Sequence, residues 1–508
     1  MRPPGSPSRS ATWTPAPTDA RWRPTPRRGR TRKPDTGTAS RRGTLRKQPD
    51  QRSEVGGWRV GQHCSRPRAR CVCASSADQT ATRIAVNVKA NGTPVRVALM
   101  GFGTVGQSVA RILCSGEMPG VQLTHIFNRD VERKRVDWVP ASVTWTDNAD
   151  DIVSADVSIV IEVVGGIRPA YDWVKGALQS GKSVVTANKQ LMAHHGAELL
   201  DIARAKGLEV RFEASVAGGI PVLRALQEGL AGDRLVEVRG ILNGTCAYIL
   251  SRMESESISF ADALAAAQKA GYAEADPSED LDGADAAAKL AIIAAVGLRR
   301  PVRVGDIATK SIRPIESVDF MYARELGCTI RQVARASAED NGEVFAAVRP
   351  ALVPLSSAFG RVTGSQNLVT VRGVFGGETS FSGSGAGGSP TAVAVVSDVL
   401  SIANAGSRPP AAAEPTVYHK VKGDFVAPHY VRFTVNDKPG ILASITAAYA
   451  KFGINIEGVL QLPKFKRDRL PFVTTLEECP ESVLERALAE VAKSDYHVVA
   501  PLALPIFG

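Results

Sequence analysis

A run of strand length, Val95–Met100, apolar at five of its six positions, leads directly into Gly101-x-Gly103-x-x-Gly106, and a helical pattern continues to Leu113. Few short segments constrain a fold so strongly. The first glycine permits a tight turn, the second lets backbone approach a pyrophosphate, and the third lets the helix pack on the sheet. The helix N-terminus then presents free N–H groups to the phosphates. Gly101, Phe102, Gly103, Thr104, Val105 and Gly106 are therefore the expected cofactor-binding turn. Strand-like runs recur at Val121–Phe127, Val157–Gly166 and Lys182–Lys189, with helical patterns between them, such as "AYDWVKGALQSG". This alternation predicts an α/β chain whose first folded domain is a parallel, doubly wound sheet.

A site selective for NAD places an acid near the end of the second strand, to hold the ribose 2′-hydroxyl. Here Asn128 and Arg129 follow Phe127, with Arg133, Lys134 and Arg135 close behind. A guanidinium pairs with a 2′-phosphate, so NADPH is the expected cofactor and NADH a possible one. The competing reading of Arg129 is an ordinary solvated loop arginine.

The net charge of +11 resembles that of a nucleic-acid binder, but it is unevenly distributed. Residues 1–92 hold 20 Lys and Arg against 5 Asp and Glu, whereas the remainder holds 42 against 46. The basic excess thus belongs to an N-terminal extension rich in Arg, Ser, Thr and Pro, and no nucleic-acid partner is expected for the rest. The extension is too poor in aliphatic residues to bury a core, so disorder is expected there. It also lacks the apolar segment of a secretory signal. Its composition is that of an organelle transit peptide, and "CVCASS" (Cys71–Ser76) resembles a plastid processing site, so a plastid location is expected. A wrongly joined reading frame and a basic nucleic-acid-binding tail are the alternatives. No apolar run approaches the ~18 residues of a membrane span. The seven cysteines, Cys64, Cys71, Cys73, Cys114, Cys246, Cys328 and Cys479, include no C-x-x-C pair. Neither a zinc site nor a disulfide framework is expected, and a reducing compartment fits.

The stretch "GYAEADPSEDLDGADAAAK" (Gly271–Lys289) gathers Glu274, Asp276, Glu279, Asp280, Asp282 and Asp285 before one lysine closes it. Read blandly, this is a solvated loop entering a helix, with Asp285 and Lys289 as an i,i+4 surface pair worth about 0.3–0.5 kcal/mol. The spacing puts both side chains on one helix face.

Seven motifs occur in an order that resembles the homoserine dehydrogenases: "GFGTVGQSV", "IEVVGG", "TANKQLMAHHG", "FEASVAGGIPVL", "ILNGTCAYIL", the acidic stretch, and "GSGAGGSPTAVAVVSD". The resemblance spans about Val95 to Ala403. It implies reduction of L-aspartate 4-semialdehyde to L-homoserine with NAD(P)H, in threonine, methionine and isoleucine synthesis. It also implies a Rossmann-type domain at 93–221, an α+β catalytic and dimerisation domain at 222–375, a return to the nucleotide domain at 376–404, and a homodimer or homotetramer. By the same resemblance, Lys189 lies beside nicotinamide and substrate, Glu274 binds the substrate amino group, and Asp285 and Lys289 sit at the reacting carbonyl, with Lys289 the proton donor. Glu213, Val216, Gly218 and Ile220 match a monovalent-cation site, such as one for Na+, built largely from backbone carbonyls. Gly385 and Gly387 return to the cofactor. One departure is Ala247, where many relatives carry asparagine.

The chemistry of these residue types agrees. Hydride delivery to an aldehyde leaves an alkoxide that needs a proton, and a lysine supplies it if cations and burial lower its pKa. Two lysines at one carbonyl also stabilise developing negative charge. Asp276, Glu279, Asp280 and Asp282 are expected to cap the following helix or neighbour the site, with Glu279 and Asp282 solvated. Cys246 lacks the surroundings of an activated thiolate and reads as a small buried residue. His194 and His195 read as helix-face residues.

Residues 405–428, rich in Pro and Ala, read as a linker. Residues 429–508 give a βαββαβ pattern which, with "NDKPGIL", resembles a ferredoxin-like ACT domain. The resemblance implies amino-acid binding at Asn436, Asp437, Gly440, Ile441 and Leu442, with threonine the expected effector; a purely structural or dimerising module is the alternative. For the whole chain, the competing functions are a dehydrogenase for another small amino-acid aldehyde and a nucleotide-bound sensor that has lost catalysis. The intact Lys189, Glu274, Asp285 and Lys289 oppose the sensor.

Overall fold

The computed structural model describes residues 93–507, apart from 119, 340, 406–408, 410–415 and 464. The expectations for residues 1–92 lie outside the described residues. Within them, the chain builds three sheets in sequence order.

The first sheet holds β1 (Val95–Met100), β2 (Val121–Phe127), β3 (Thr144–Thr146), β4 (Ile159–Glu162), β5 (Ser183–Thr186) and β6 (Val210–Arg211). All pairings are parallel and the order is β3-β2-β1-β4-β5-β6. The order reverses between β1 and β4, which opens a crevice at the carboxyl ends of the strands. Helices α1 (Thr104–Leu113) and α2 (Lys189–Ala205) start at that end, after β1 and β5. Two strands are shorter than their apolar runs. β4 stops at Glu162 because Gly165 (φ 84°) and Gly166 (φ 73°) take left-handed turns. β5 stops at Thr186 because Asn188 caps α2, its Oδ1 accepting from the Leu191 N–H at 3.0 Å.

The second sheet has seven strands: β7 (Leu235–Ile241), β8 (Ala308–Thr309), β9 (Cys328–Ala338), β10 (Val344–Pro354), β11 (Gln366–Gly373), β12 (Gly377–Ser384) and β13 (Val421–Lys422). Helices α3 (Gly244–Glu256), α4 (Ala284–Gly297) and α5 (Ser317–Glu325) accompany it. Most of α4 is buried, which its run of Ala, Leu and Ile allows. α6 (Gly388–Ala405) then returns to the nucleotide domain, where Ala392, Val395 and Val399 share a core with Val97, Leu99 and Ile161.

Two expected boundaries differ. The return was placed at residues 376–404, but β12 pairs with β11 in the second sheet and the return begins with α6. The linker was drawn to residue 428, but Val421–Lys422 pairs in parallel with Val344–Phe345, and the next strand starts at Val426. Its Pro and Ala bias covers only the first half.

The third sheet is antiparallel, ordered β15-β16-β14-β17. It contains β14 (Val426–Val435), β15 (Ile456–Leu460), β16 (Leu470–Pro480) and β17 (His497–Pro505), with α7 (Ile441–Lys451) and α8 (Glu481–Val491). This is the βαββαβ module expected from the sequence. It packs against the second domain: Tyr430, Val473 and Leu504 share one core with Ile249, Leu250 and Tyr322. The seam also has a buried polar part. Arg432 Nε lies 2.8 Å from Asp319 Oδ1, and the Tyr430 hydroxyl donates to the same oxygen at 2.7 Å. Among the described residues, no helix is long and apolar enough to cross a membrane.

His429, on β14 at this seam, is 1% exposed, and burial lowers its pKa from 6.5 to about 4. The native imidazole therefore stays neutral where the unfolded one takes a proton. The stability this contributes is present above pH 6.5 and is lost as the pH falls through about 4, up to about 3 kcal/mol in all. Denaturant titrations of the parent should show falling stability across that window. His429→Leu should flatten the dependence; an unchanged slope would refute the assignment.

Candidate active site

Three chain segments meet over one buried carboxylate. Asp285, in the first turn of α4, is 4% exposed. Its Oδ1 is 2.8 Å from Lys189 Nζ, at the start of α2. Its Oδ2 accepts from Lys289 Nζ at 2.8 Å, one turn along α4, and from Asn243 Nδ2 at 2.8 Å, just beyond β7. Lys289 Nζ also donates to the Leu242 carbonyl at 2.9 Å. The Asp285–Lys289 pair is therefore not a surface pair. Burial alone would raise the Asp285 pKa, but the charges of Lys289 and Lys189 outweigh it and hold the carboxyl well below its ordinary range. For Lys189, burial favours the neutral amine, yet Asp285 prevails and the pKa moves up. Lys189 therefore stays charged, because it lies against the Asp285 carboxylate.

Local chemistry explains why these groups converge. Glu162, fully buried at the end of β4, accepts from the N–H groups of Val164 and Gly165 at 2.8 and 3.1 Å and from the Thr186 hydroxyl. Thr186 Oγ1 accepts from the Asn188 N–H, and Asn188 caps the helix that begins with Lys189. One buried carboxylate thus shapes both the β4 loop and the turn carrying Lys189. At α4, Gly283 (φ 90°) occupies the cap, and a Cβ there would lie 3.3 Å from Thr309 and Val348.

The acids before α4 therefore do not cap it, contrary to one expectation. Asp276 accepts from the Ser278 N–H and hydroxyl. Asp280 accepts from Asn243 Nδ2 at 2.6 Å and so neighbours the cluster. Asp282 is exposed and meets Ser311 and Arg313. Glu279 and Glu274 are exposed, and neither pairs with a cation among the described residues. Glu274 stands on the loop rather than in the buried cluster.

The glycine turn is built as its spacing predicts. At Gly101 (φ 103°) a Cβ would meet the Val163 carbonyl at 3.0 Å, and at Gly106 one would meet the Gly101 carbonyl at 2.1 Å. Gly103 faces open space and caps α1 without a side chain, and α1 has no acid in its first turn. The second helix start, at α6, lies alongside: a Cβ on Gly388 would meet the Thr104 carbonyl at 3.1 Å. Gly385 and Gly387 (φ 121°) form the turn into α6, and Gly385 lies against the Asn367 amide. A bare glycine flanked by two helix starts fits a dinucleotide pyrophosphate. Thr104 and Val105 open α1, whereas the Phe102 side chain is buried against Trp138 and Trp145, leaving only its backbone to the turn. Arg129 is exposed just beyond β2 and forms no ion pair among the described residues.

Glu213, Val216, Gly218 and Ile220 lie on one tight loop. The Glu213 carboxylate, its pKa raised by burial, accepts from the N–H groups of Leu223 and Arg224, both at 2.7 Å. The donors left to a cation are backbone carbonyls, neutral hard oxygens that suit a monovalent ion. Ala217 (φ 53°) and Gly218 (φ 51°) turn the loop, and a Cβ on Gly218 would meet the Gly385 carbonyl at 2.6 Å. The loop therefore abuts the cofactor turn.

Cys246 is fully buried, its thiol donates to the Asp280 carbonyl at 3.2 Å, and burial pushes its pKa up. His194 is exposed on α2, and His195 packs on Tyr171. In the third domain, Gly440 (φ 94°) caps α7 in open space beside the exposed Asn436, Asp437 and Leu442; Ile441 is buried in the core. Sequence reading missed Asn243, Glu162 and Asn188. The two asparagines each stand between a strand and a helix, a cap signature visible in "ILNGT" and "TANK".

Family models match three regions: homoserine dehydrogenase, NAD binding domain, at residues 101–213; homoserine dehydrogenase at 221–400; and ACT domain at 429–495. The homoserine dehydrogenase of Bacillus subtilis is 38% identical over 388 residues, covering 74% of this chain and 89% of that protein. A crystal structure of a homoserine dehydrogenase from Thiobacillus denitrificans superposes with a TM-score of 0.75 at 32% identity, covering 82% of this chain and 98% of the other. A hyperthermophilic archaeal homoserine dehydrogenase in complex with NADPH gives a TM-score of 0.52 at 27% identity, covering 61% of this chain and 98% of the other. With an NAD-binding domain, a catalytic domain and an ACT domain in that order, and this similarity over most of its folded length, the chain belongs to the homoserine dehydrogenase family.

Proposed function

We propose that this NAD(P)-dependent oxidoreductase reduces L-aspartate 4-semialdehyde to L-homoserine with NADPH at the Lys189–Asp285–Lys289 cluster. The observation that carries the reading is the buried carboxylate held at 2.8 Å by each of two lysines from different domains. When bound, the nicotinamide supplies the hydride. The protein's part is to place the aldehyde and to manage charge on its oxygen. Lys189 and Lys289 present ammonium groups that stabilise negative charge there, and Lys289 donates the proton. Asp285 stays ionised and keeps both lysines oriented. Glu274, exposed on the acidic loop, pairs with the substrate ammonium. Cys246 takes no part, since its thiol is buried and protonated.

Four further assignments belong to this reading. Backbone carbonyls of Glu213, Val216, Gly218 and Ile220 hold a monovalent cation such as Na+, which would stiffen the loop against the Gly385 turn. The chain works as a homodimer or homotetramer, in the plastid stroma. Arg129 binds the 2′-phosphate of NADPH, a choice supported by the basic residue where an acid would select NADH.

Lys289→Met and Asp285→Asn should each lower kcat by roughly 10²–10⁴-fold, the scale of general acid catalysis. Steady-state oxidation of NADPH with aspartate semialdehyde measures this. Activity within a few-fold of the parent would mean that the cluster is only structural.

Arg129→Ala should raise KM for NADPH and leave KM for NADH nearly unchanged. Equal effects on both cofactors would remove Arg129 from the site.

Threonine should inhibit through the turn at Asn436–Leu442, where Gly440 leaves space before the α7 N-terminus for an α-carboxylate. Inhibition requires threonine to favour one conformation, and a typical coupling changes affinity about 5–150-fold. Gly440→Asp should abolish the response while sparing basal activity. If calorimetry detects no threonine binding to the parent, the ACT module is structural here.

A further inference from the structure

We infer that Asn243 is a positioning residue for the reaction: its side-chain amide fixes the Asp285 carboxylate and ties the acidic loop to it. This rests on the reading that Asp285 and Lys289 manage the proton. Asn243 follows β7 and is 3% exposed. Its Oδ1 accepts from the Cys246 N–H at 2.8 Å, as the cap of α3. That bond sets the orientation of the amide, because only an oxygen can accept there. Both amide hydrogens must then face the opposite way. They meet Asp285 Oδ2 at 2.8 Å and Asp280 Oδ1 at 2.6 Å.

A neutral donor thus stands between two carboxylates that would otherwise repel. The residue before it completes the arrangement: the Leu242 carbonyl accepts from Lys289 Nζ at 2.9 Å and from Asn367 Nδ2 at 3.1 Å. The end of β7 therefore holds the ammonium through its carbonyl and the carboxylate through its side chain. Without the amide, Asp285 Oδ2 keeps only Lys289, a partner on the same helix, and the carboxylate is held by the two flexible lysines alone. Asp280 loses its tie, so the loop that carries Glu274 is held less firmly over the site.

Two variants test this. Asn243→Ser keeps an acceptor for the α3 cap but is too short to reach the carboxylates. Asn243→Asp keeps the cap and the shape but puts a third carboxylate in the cluster. For Asn243→Ser we expect kcat to fall roughly 10- to 100-fold, the effect of misplacing a catalytic group by about 1 Å, with a raised KM for the aldehyde and an unchanged KM for NADPH. For Asn243→Asp we expect the acidic limb of the kcat–pH profile to move up by about one pH unit or more, because like charges force one carboxyl to keep its proton. A structural role alone would not move that limb. If Asn243→Ser does not fold, the profile of Asn243→Asp decides alone. An unmoved limb with kcat within about two-fold of the parent overturns the inference. Parallel assays of Lys289→Met separate the two claims: if that variant is inactive while the Asn243 variants are normal, only the inference about Asn243 fails; if it is active, the catalytic reading itself fails.

Discussion

A carboxylate removed from water survives as an anion only where charge and hydrogen bonds replace the water. Asp285 receives that replacement from three places: α2 through Lys189, its own helix through Lys289, and the end of β7 through Asn243. Lys189 belongs to the nucleotide domain, and the other two belong to the second domain. The proposed catalytic centre is therefore also a joint between domains. Moving the domains apart would take Lys189 from the buried Asp285, leaving that carboxylate with one cation fewer.

The joint is continuous with the cofactor cradle through Glu162. That carboxylate has no cation among the described residues and is neutralised by backbone N–H groups and the Thr186 hydroxyl. It shapes the loop after β4, whose Val163 carbonyl lies against Gly101, and it braces the turn that delivers Lys189. The loop beside the glycine turn and the start of the helix carrying Lys189 are thus braced by one buried group.

Much of this was legible before the structure. The strand, glycine turn and helix at Val95–Leu113 leave little choice of fold, because Gly101 and Gly106 each have a steric reason that reappears in space and Gly103 stands bare at the helix start. The i,i+4 spacing of Asp285 and Lys289 put them on one face. What the pattern did not carry was depth and direction. Nothing local to Asp285 indicates that Lys189 reaches it, since that contact depends on how the two domains pack. The Phe102 side chain turned inward because Trp138 and Trp145 give it a pocket. The supposed linker gained a strand because β10 offers its edge to Val421–Lys422. A register decided by a distant partner leaves no local periodicity to read.

The same limit applies to the ACT module, which a linear reading hangs on a tether and the fold does not. The segment from Lys310 to Glu316 touches both neighbours. On one side Lys310 pairs with Glu481 and Glu485, and Arg432 reaches the Pro314 carbonyl and Glu316. On the other side the Ile312 N–H donates to the Leu281 carbonyl, and Ser311 donates to Asp282. The ACT sheet is thus one short segment away from the acidic loop that carries Glu274. Arg432, 2% exposed and paired with the fully buried Asp319, gives the seam a discrete character, because an intermediate position would strand a buried charge. A packed seam of this kind resists gradual deformation. The ACT sheet, the Lys310–Glu316 segment and the acidic loop are thus held together by packed and hydrogen-bonded contacts rather than joined by a tether.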